Sequence, residues 1–394
     1  MPDYDIITVG GGIAGASLAR AMAARGCRVL VLESSTEFKD RVRGEFICPW
    51  GVMEARELGV YDAIMAAGGR EARFLQVQAG PAPLPPRNLI EDIGEAAVNI
   101  YHPAMQEAVL VAAAAAGAEV RRGARVTGVS PGETPSVAVD GETASARLVV
   151  GTDGRNSSVR SWADFEAEED EPQQWLAGVL VDGMTIDPDV SIIAFNFALG
   201  QISLLSPQGS GRARAYFGAR TATGTKLTGD AHFARFVDES VRTGISAASY
   251  EGATQAGPLA TFDGYDSWVP HPYKDGVALI GDAAATSDQT WGQGVSIALS
   301  HARLLRDALL SDDDWTAAGN AYAAYANEMF GHIRRAESWL TELMMDPGEE
   351  ANAVRAKVLP RLFAEEGVIP DTMMAGPRLA PADDAARARM LGNA

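Results

Sequence analysis

Cysteine is scarce in this chain. Cys27 and Cys48 are its two cysteines, too few for a disulfide framework and without metal-ligand spacing. A reducing, cytoplasmic setting fits that usage. Histidine is nearly as sparse, with five residues scattered along the sequence, so no metal centre is expected. No basic n-region followed by an apolar h-region opens the sequence, and the apolar stretch Ala108 to Ala118 is too short to span a bilayer. Positive charge is in deficit. Lys and Arg number 33 against 52 Asp and Glu, for a net charge of −19, and such a surface repels nucleic acid and anionic membranes. Neither is expected as a partner. No Ser-His-Asp, Cys-His or paired-carboxylate constellation is apparent.

What the sequence does contain is three glycine–aspartate segments in order. They are Gly10-Gly11-Gly12-Ile13-Ala14-Gly15, then Gly151-Thr152-Asp153-Gly154, then Gly281-Asp282 followed by Gly292-Gln293-Gly294. Each follows a branched apolar run that reads as a buried parallel strand: Asp5 to Val9, Ala146 to Val150 and Gly276 to Ile280. The first lies in a βαβ unit, with a helix over Ile13 to Arg25, a stop at Gly26 and a second strand ending at Glu33. In such a unit the first glycine makes the tight turn, the second lets a pyrophosphate approach the helix N-terminus, and the third permits close helix–strand packing. Glu33 is placed to accept hydrogen bonds from adenosine ribose hydroxyls, and its charge repels a 2′-phosphate, which suits FAD or NAD. Arg41-Val42-Arg43 follows, two arginines able to fork onto phosphate oxygens.

Elsewhere the pattern changes. Pro and Gly become frequent from Ala72 to Ile93. Pro103 to Ala116 reads as a helix stopped by Gly117, and a β-meander follows with turns at Pro131-Gly132 and Asp140-Gly141. From Gln174 to about Thr261 alternating segments predict an antiparallel sheet, with turns at Pro207-Gln208-Gly209 and Thr223-Gly224 and one helix over Asp230 to Arg242. Gly294 opens a long helix, and helical character continues from Asp313.

These motifs together resemble the single-component FAD-dependent aromatic hydroxylases, similar to para-hydroxybenzoate hydroxylase. The resemblance rests on Gly10 to Glu33, Arg41-Val42-Arg43, Gly151 to Arg160 and Gly281-Asp282-Ala283, and runs to about residue 310. It implies an α/β fold, with a Rossmann-like, glutathione-reductase-like FAD-binding domain from residues 1–71, 97–173 and 272–345. An inserted antiparallel substrate domain would take 72–96 and 174–271, and 346–394 would form a helical C-terminal segment. It implies FAD contacts from Gly10, Gly12, Ile13, Ala14, Gly15, Glu33, Ser34, Arg41, Arg43, His102 and Val126. Further contacts would come from Asp153, Gly154, Gly281, Asp282, Gly292, Gln293, Gly294, Val295 and Ser296. The implied reaction uses NADH or NADPH to reduce FAD, then O2 to form a flavin C4a-hydroperoxide that hydroxylates a small aromatic or related electron-rich substrate, in a monomer or homodimer.

Three positions depart from the family pattern. His102-Pro103 stands where Arg or Gln usually opens a helix, Ala285 replaces a His, and Gln289 replaces a Pro beside the substrate. Candidate bases for a phenol are His271, Tyr216 and His102, each more readily read as a packing or surface residue. Gln289, Trp291 and Tyr216 are candidate substrate contacts. Other readings stay open: a flavin oxidase or reductase without oxygen insertion, a non-catalytic flavin-binding protein, and a flavin-dependent halogenase suggested by Gly44-Glu45-Phe46-Ile47-Cys48-Pro49. The last is disfavoured, since the lysines are Lys39, Lys226, Lys274 and Lys357 and no Trp-x-Trp pair is present.

Overall fold

The computed structural model describes residues 2–79, 84–222, 226–362 and 371–392; the turn expected at Thr223-Gly224 lies outside them. Branched apolar runs become strands buried on both faces, as a parallel sheet requires. Tyr4–Val9 lies between Val29–Glu33 and Glu142–Gly151, and Val277–Leu279 pairs with the far side of the latter, all in parallel. Glu119–Arg122 extends the sheet beyond Val29–Glu33. The register sets Val9 opposite both Leu32 and Gly151, and Gly151 opposite Leu279. The strand ends are therefore level, and the three glycine–aspartate segments leave the sheet along one edge.

The helix Ile13–Ala23 follows the first segment and is buried along almost its whole length. Small side chains (Ala14, Ala16, Ala19) let it pack against the helices His102–Ala115 and Gly294–Ser311. Gly26 at φ 86° and Gly117 at φ 105° turn the chain after Ile13–Ala23 and His102–Ala115.

The second large sheet is mainly antiparallel. Gln174–Asp182, Arg212–Arg220, Gln201–Gly209 and Val190–Asn196 lie in that order, with Ala260–Gly264 also pairing the first. Phe74–Ala79 joins parallel to Val190–Asn196 and brings Arg87–Asn88 with it. Alternation sorts the two faces. Val179, Ala215 and Phe217 pack with Phe236 of the helix Phe233–Thr243. Leu176, Leu204 and Tyr216 face the other way, onto a cavity shared with the parallel sheet.

Two long helices, Gly294–Ser311 and Trp315–Met344, run behind the parallel sheet and on to the second one. After Glu349–Leu362, the short helix Thr372–Ala375 brings Met373 and Met374 into an apolar cluster with Phe195, Ile202, Trp339 and Met344. Among the described residues no helix is long and apolar enough to cross a membrane.

Candidate active site

A cavity of about 1860 Å³ lies between the level edge of the parallel sheet and the inner face of the antiparallel one. At the first segment, Gly10 takes φ 112°, and a Cβ there would lie 2.4 Å from Thr152 O. A Cβ on Gly15 would meet Gly10 O at 2.4 Å and Thr152 Oγ1 at 2.5 Å. Thr152 Oγ1 itself donates to Gly10 O at 2.6 Å, so the first and second segments are laced together. Gly12 caps the helix with backbone alone. Glu33, buried at the next strand end, accepts from Gly11 N at 2.8 Å and Ser35 N at 2.7 Å. A carboxylate retains further lone pairs for a ligand hydroxyl after two such bonds.

Asp153 is more committed. Its oxygens accept from Ser157 Oγ at 2.6 Å and Ser158 N at 2.6 Å, anchoring the helix Ser158–Trp162. Gly281 takes φ 60°, and its N–H donates to His301 Nδ1 at 3.2 Å. Burial pushes His301 down to about 4, so it stays a neutral acceptor there. Burial raises the pKa of Asp282, while Arg43, Arg155, His102 and Arg160 pull it back. Gly294 begins the helix Gly294–Ser311 with no side-chain cap, and beyond its neighbours and its own helix backbone nothing lies within 4 Å of a Cβ built on it.

This arrangement fits a flavin dinucleotide on its own chemistry. Gly12, Gly154 and Gly294 present bare backbone to the cavity, and two helix N-termini leave N–H groups uncapped by side chains. Of the residues predicted to contact FAD, Ile13, Ala14, Ser34, Arg41, Arg43, Val126, Gly292 and Val295 also line the cavity. Three stand behind it. Gly15 packs the helix to the sheet, as described. Gln293 is fully buried, taking a hydrogen bond from Trp50 Nε1 at 3.1 Å and donating to Trp291 O at 2.9 Å. Ser296 Oγ accepts from Cys48 N at 3.3 Å. Gln293 and Ser296 therefore tie the Gly292–Gly294 turn to the segment opened by Gly44-Glu45.

The base candidates separate. His271 is not brought to the cavity: it is exposed, and its Nε2 meets Asn320 Oδ1 at 3.0 Å. Tyr216 reaches the cavity, but its hydroxyl donates to Glu45 Oε2, and burial with the neighbouring Glu45 carboxylate raises its pKa far above the usual phenol value. It stays a neutral donor. His102 lines the cavity with Nδ1 2.8 Å from Gly44 O. A carbonyl only accepts, so Nδ1 carries the proton and Nε2 remains the acceptor; burial lowers the pKa and favours that neutral form. Gln289 and Trp291 both line the cavity. With its amide oriented as its partners require, Gln289 donates to Asp263 O at 3.0 Å and accepts from Arg155 Nη2 at 3.1 Å. Trp291 donates to Thr341 Oγ1 at 3.2 Å and leans on the Phe195 ring.

Two buried clusters were not expected. Arg214, with no exposed side-chain area, pairs with Asp40 at 2.8 Å and Glu45 at 2.9 Å beneath the Arg41–Arg43 loop. Period-two alternation already places Arg214 on the same strand face as Tyr216, which is the signal that could have found it. Asp266, Asp288 and Glu337 form the second. Asp288 N donates to Asp266 Oδ1 at 2.8 Å, and Asp288 Oδ1 accepts from Thr290 N at 2.9 Å, holding the turn that carries Gln289 and Trp291. These three lie far apart in sequence, and nothing local announces them. Met373 and Met374 at the cavity were equally unforeseen.

The chain is similar to several known proteins. A digeranylgeranylglycerophospholipid reductase of Methanosarcina acetivorans is 25% identical over 324 residues, covering 77% of this chain and 74% of that protein. Rifampicin monooxygenase of Streptomyces venezuelae is 35% identical over 163 residues, 40% of this chain and 33% of that one. The solved structure of p-nitrophenol 4-monooxygenase PnpA from Pseudomonas putida superposes with a TM-score of 0.77 at 16% identity, over 95% of this chain and 96% of that one, a likeness of fold. The family described as FAD binding domain matches residues 3–339. With that match spanning both large sheets and the first of the two long helices, the chain belongs to the FAD binding domain family of FAD-dependent monooxygenases and related oxidoreductases.

Proposed function

We propose that this protein is a monooxygenase that takes electrons from NADH or NADPH and places one atom of O2 on a small aromatic or related electron-rich substrate. The carrying observation is the single cavity that joins the glycine-lined sheet edge to an apolar sheet face. FAD, when bound, supplies hydride acceptance and oxygen activation. The chain supplies the rest. Gly10, Gly12, the helix Ile13–Ala23 and Arg43 would hold the pyrophosphate, Glu33 the ribose, and Asp282 the ribitol or pyrophosphate region. The N–H groups at Gly294 and Val295 would face the flavin edge that becomes negative on reduction. His102 Nε2 would accept a proton or a hydrogen bond inside the cavity. The apolar side chains of the sheet face, among them Leu176 and Leu204, would help exclude water from the reacting centre.

Similarity to monooxygenases supports this reading, and similarity to a reductase over most of the chain supports one rival, electron transfer without oxygen insertion. The test is NADH and NADPH oxidation under 18O2 with a panel of aromatic substrates. A product carrying one 18O atom is expected. Substrate-stimulated turnover that never incorporates label would decide for the rival.

A further inference from the structure

The cavity is divided by charge. Most of its cationic lining residues, Lys39, Arg41, Arg43, Arg125 and Arg155, come from loops of the dinucleotide side. Arg155 is engaged by Gln289, by Tyr265 O at 3.0 Å and by the Tyr265 ring beneath it. Among the described residues, the remaining lining arginine is Arg87, on the edge of the antiparallel sheet. It meets Asp92 at 2.7 Å and Asp371 at 2.6 Å, so its charge is matched twice. Glu91 lines the same region. This end of the cavity therefore holds no unmatched cation for an anionic guest.

Apolar side chains make up most of the rest of its wall, with Ser191 and Ser206 among the strand residues that line the cavity. Leu75, Val77, Ile193, Leu204, Met344 and Met374 come from three strands and two C-terminal helices, and all belong to or pack on one hydrophobic cluster. Methionines from two helices give that wall a polarisable, adaptable surface. The whole cavity, about 1860 Å³, exceeds the roughly 300–1,000 Å³ of a pocket for one ligand. Space for a multi-ring guest remains beside a dinucleotide. A carboxylate placed there would lose its hydration without gaining a partner.

We infer that the apolar end of the cavity binds an uncharged molecule larger than a single ring, of the fused polycyclic phenol type, and rejects carboxylated aromatic acids. This rests on the monooxygenase reading of the same cavity and narrows its substrate class. The test is calorimetric titration of the oxidised, FAD-loaded protein, without reductant, using 9-phenanthrol, phenanthrene-9-carboxylate and phenol. 9-Phenanthrol is expected to bind at least about tenfold more tightly than either of the others. Leu204→Arg should narrow its advantage over the carboxylate about tenfold. Met374→Arg, on a different element, provides the same check should the strand variant not fold. Equal or tighter binding of phenanthrene-9-carboxylate or phenol to the natural protein overturns the inference. So does the absence of binding heat with all three, or an unchanged gap in a folded variant. Because no turnover is needed, the two readings fail separately. Bound 9-phenanthrol that is never oxygenated counts against the monooxygenase, whereas an oxygenated benzoate with no polycycle binding counts against this substrate class.

Discussion

Arg214 shows how much one side chain organises. Asp40 receives both the Arg214 guanidinium and the Val42 N–H at 2.8 Å. Val42 is β-branched yet sits at φ 57°, a left-handed conformation that persists only where its surroundings impose it. The turn carries Arg41 and Arg43 at the cavity, so the buried triad shapes the loop from below. Arg214→Leu would leave the buried Glu45 carboxyl and the partly buried Asp40 without their cation, and unfolding in denaturant should show a loss of roughly 3–5 kcal/mol. A loss under about 1 kcal/mol would remove the triad from this account. Asp266 makes a different prediction. Burial pushes its pKa from 3.8 to about 6, with the Asp288 carboxylate adding to the rise. An acid that holds its proton more tightly when folded stabilises most below its unfolded pKa, and that contribution fades as pH rises through the folded value. The stability of Asp266→Asn relative to the natural protein should therefore increase between about pH 4 and pH 6. Thermal melts across that window test it, and a constant difference would count against the shift.

At the scale of elements, the βαβ unit works through contact as much as through its dipole. Gly15 lets the helix Ile13–Ala23 sit against the strand-end turn, where even a methyl group would fall 2.4 Å from Gly10 O. Gly15→Ala must push the helix off the sheet, so we expect a loss of about 1–3 kcal/mol together with weaker retention of FAD. Flavin absorbance after gel filtration reads the second effect; full occupancy would contradict it. The helix Gly294–Ser311 is aimed in a related way. Gly51 packs it against the helix Pro49–Leu58, since a Cβ there would meet Ser296 Oγ at 2.2 Å. His301, two turns along, holds the Gly281 N–H from behind. Ala285, where the family pattern has a His, faces Trp268 in a small three-stranded sheet.

Over the whole molecule, the cavity is a property of two sheets and a C-terminal return rather than of any one of them. A ligand bridging them stabilises the folded state by mass action, about 2.7 kcal/mol when present at one hundred times its dissociation constant. Removing FAD should therefore lower the thermal midpoint by several degrees, and restoring it should recover the value. Equal midpoints with and without FAD would show that the dinucleotide does not link the parts. The Arg87–Asp371 pair joins the antiparallel sheet to the start of the helix Thr372–Ala375, closing the apolar end with residues nearly three hundred positions apart.

By itself the sequence determined the parallel sheet, the order of its three glycine–aspartate turns and the glycine-lined side of the cavity. Those features are local: a branched run, a glycine at positive φ and a helix start are written in adjacent residues. The alternating segments likewise announced an antiparallel sheet. Only the tertiary structure decided which polar residues meet. It brought Asp40, Glu45 and Arg214 together, gathered Asp266, Asp288 and Glu337, and left His271 outside while enclosing His102. Such meetings depend on how strands from distant segments register and which helix covers them, and no spacing along the chain encodes that. The apolar end was decided in the same way. Met373 and Met374 follow no motif, and they become part of the cavity because the chain returns there to bury them.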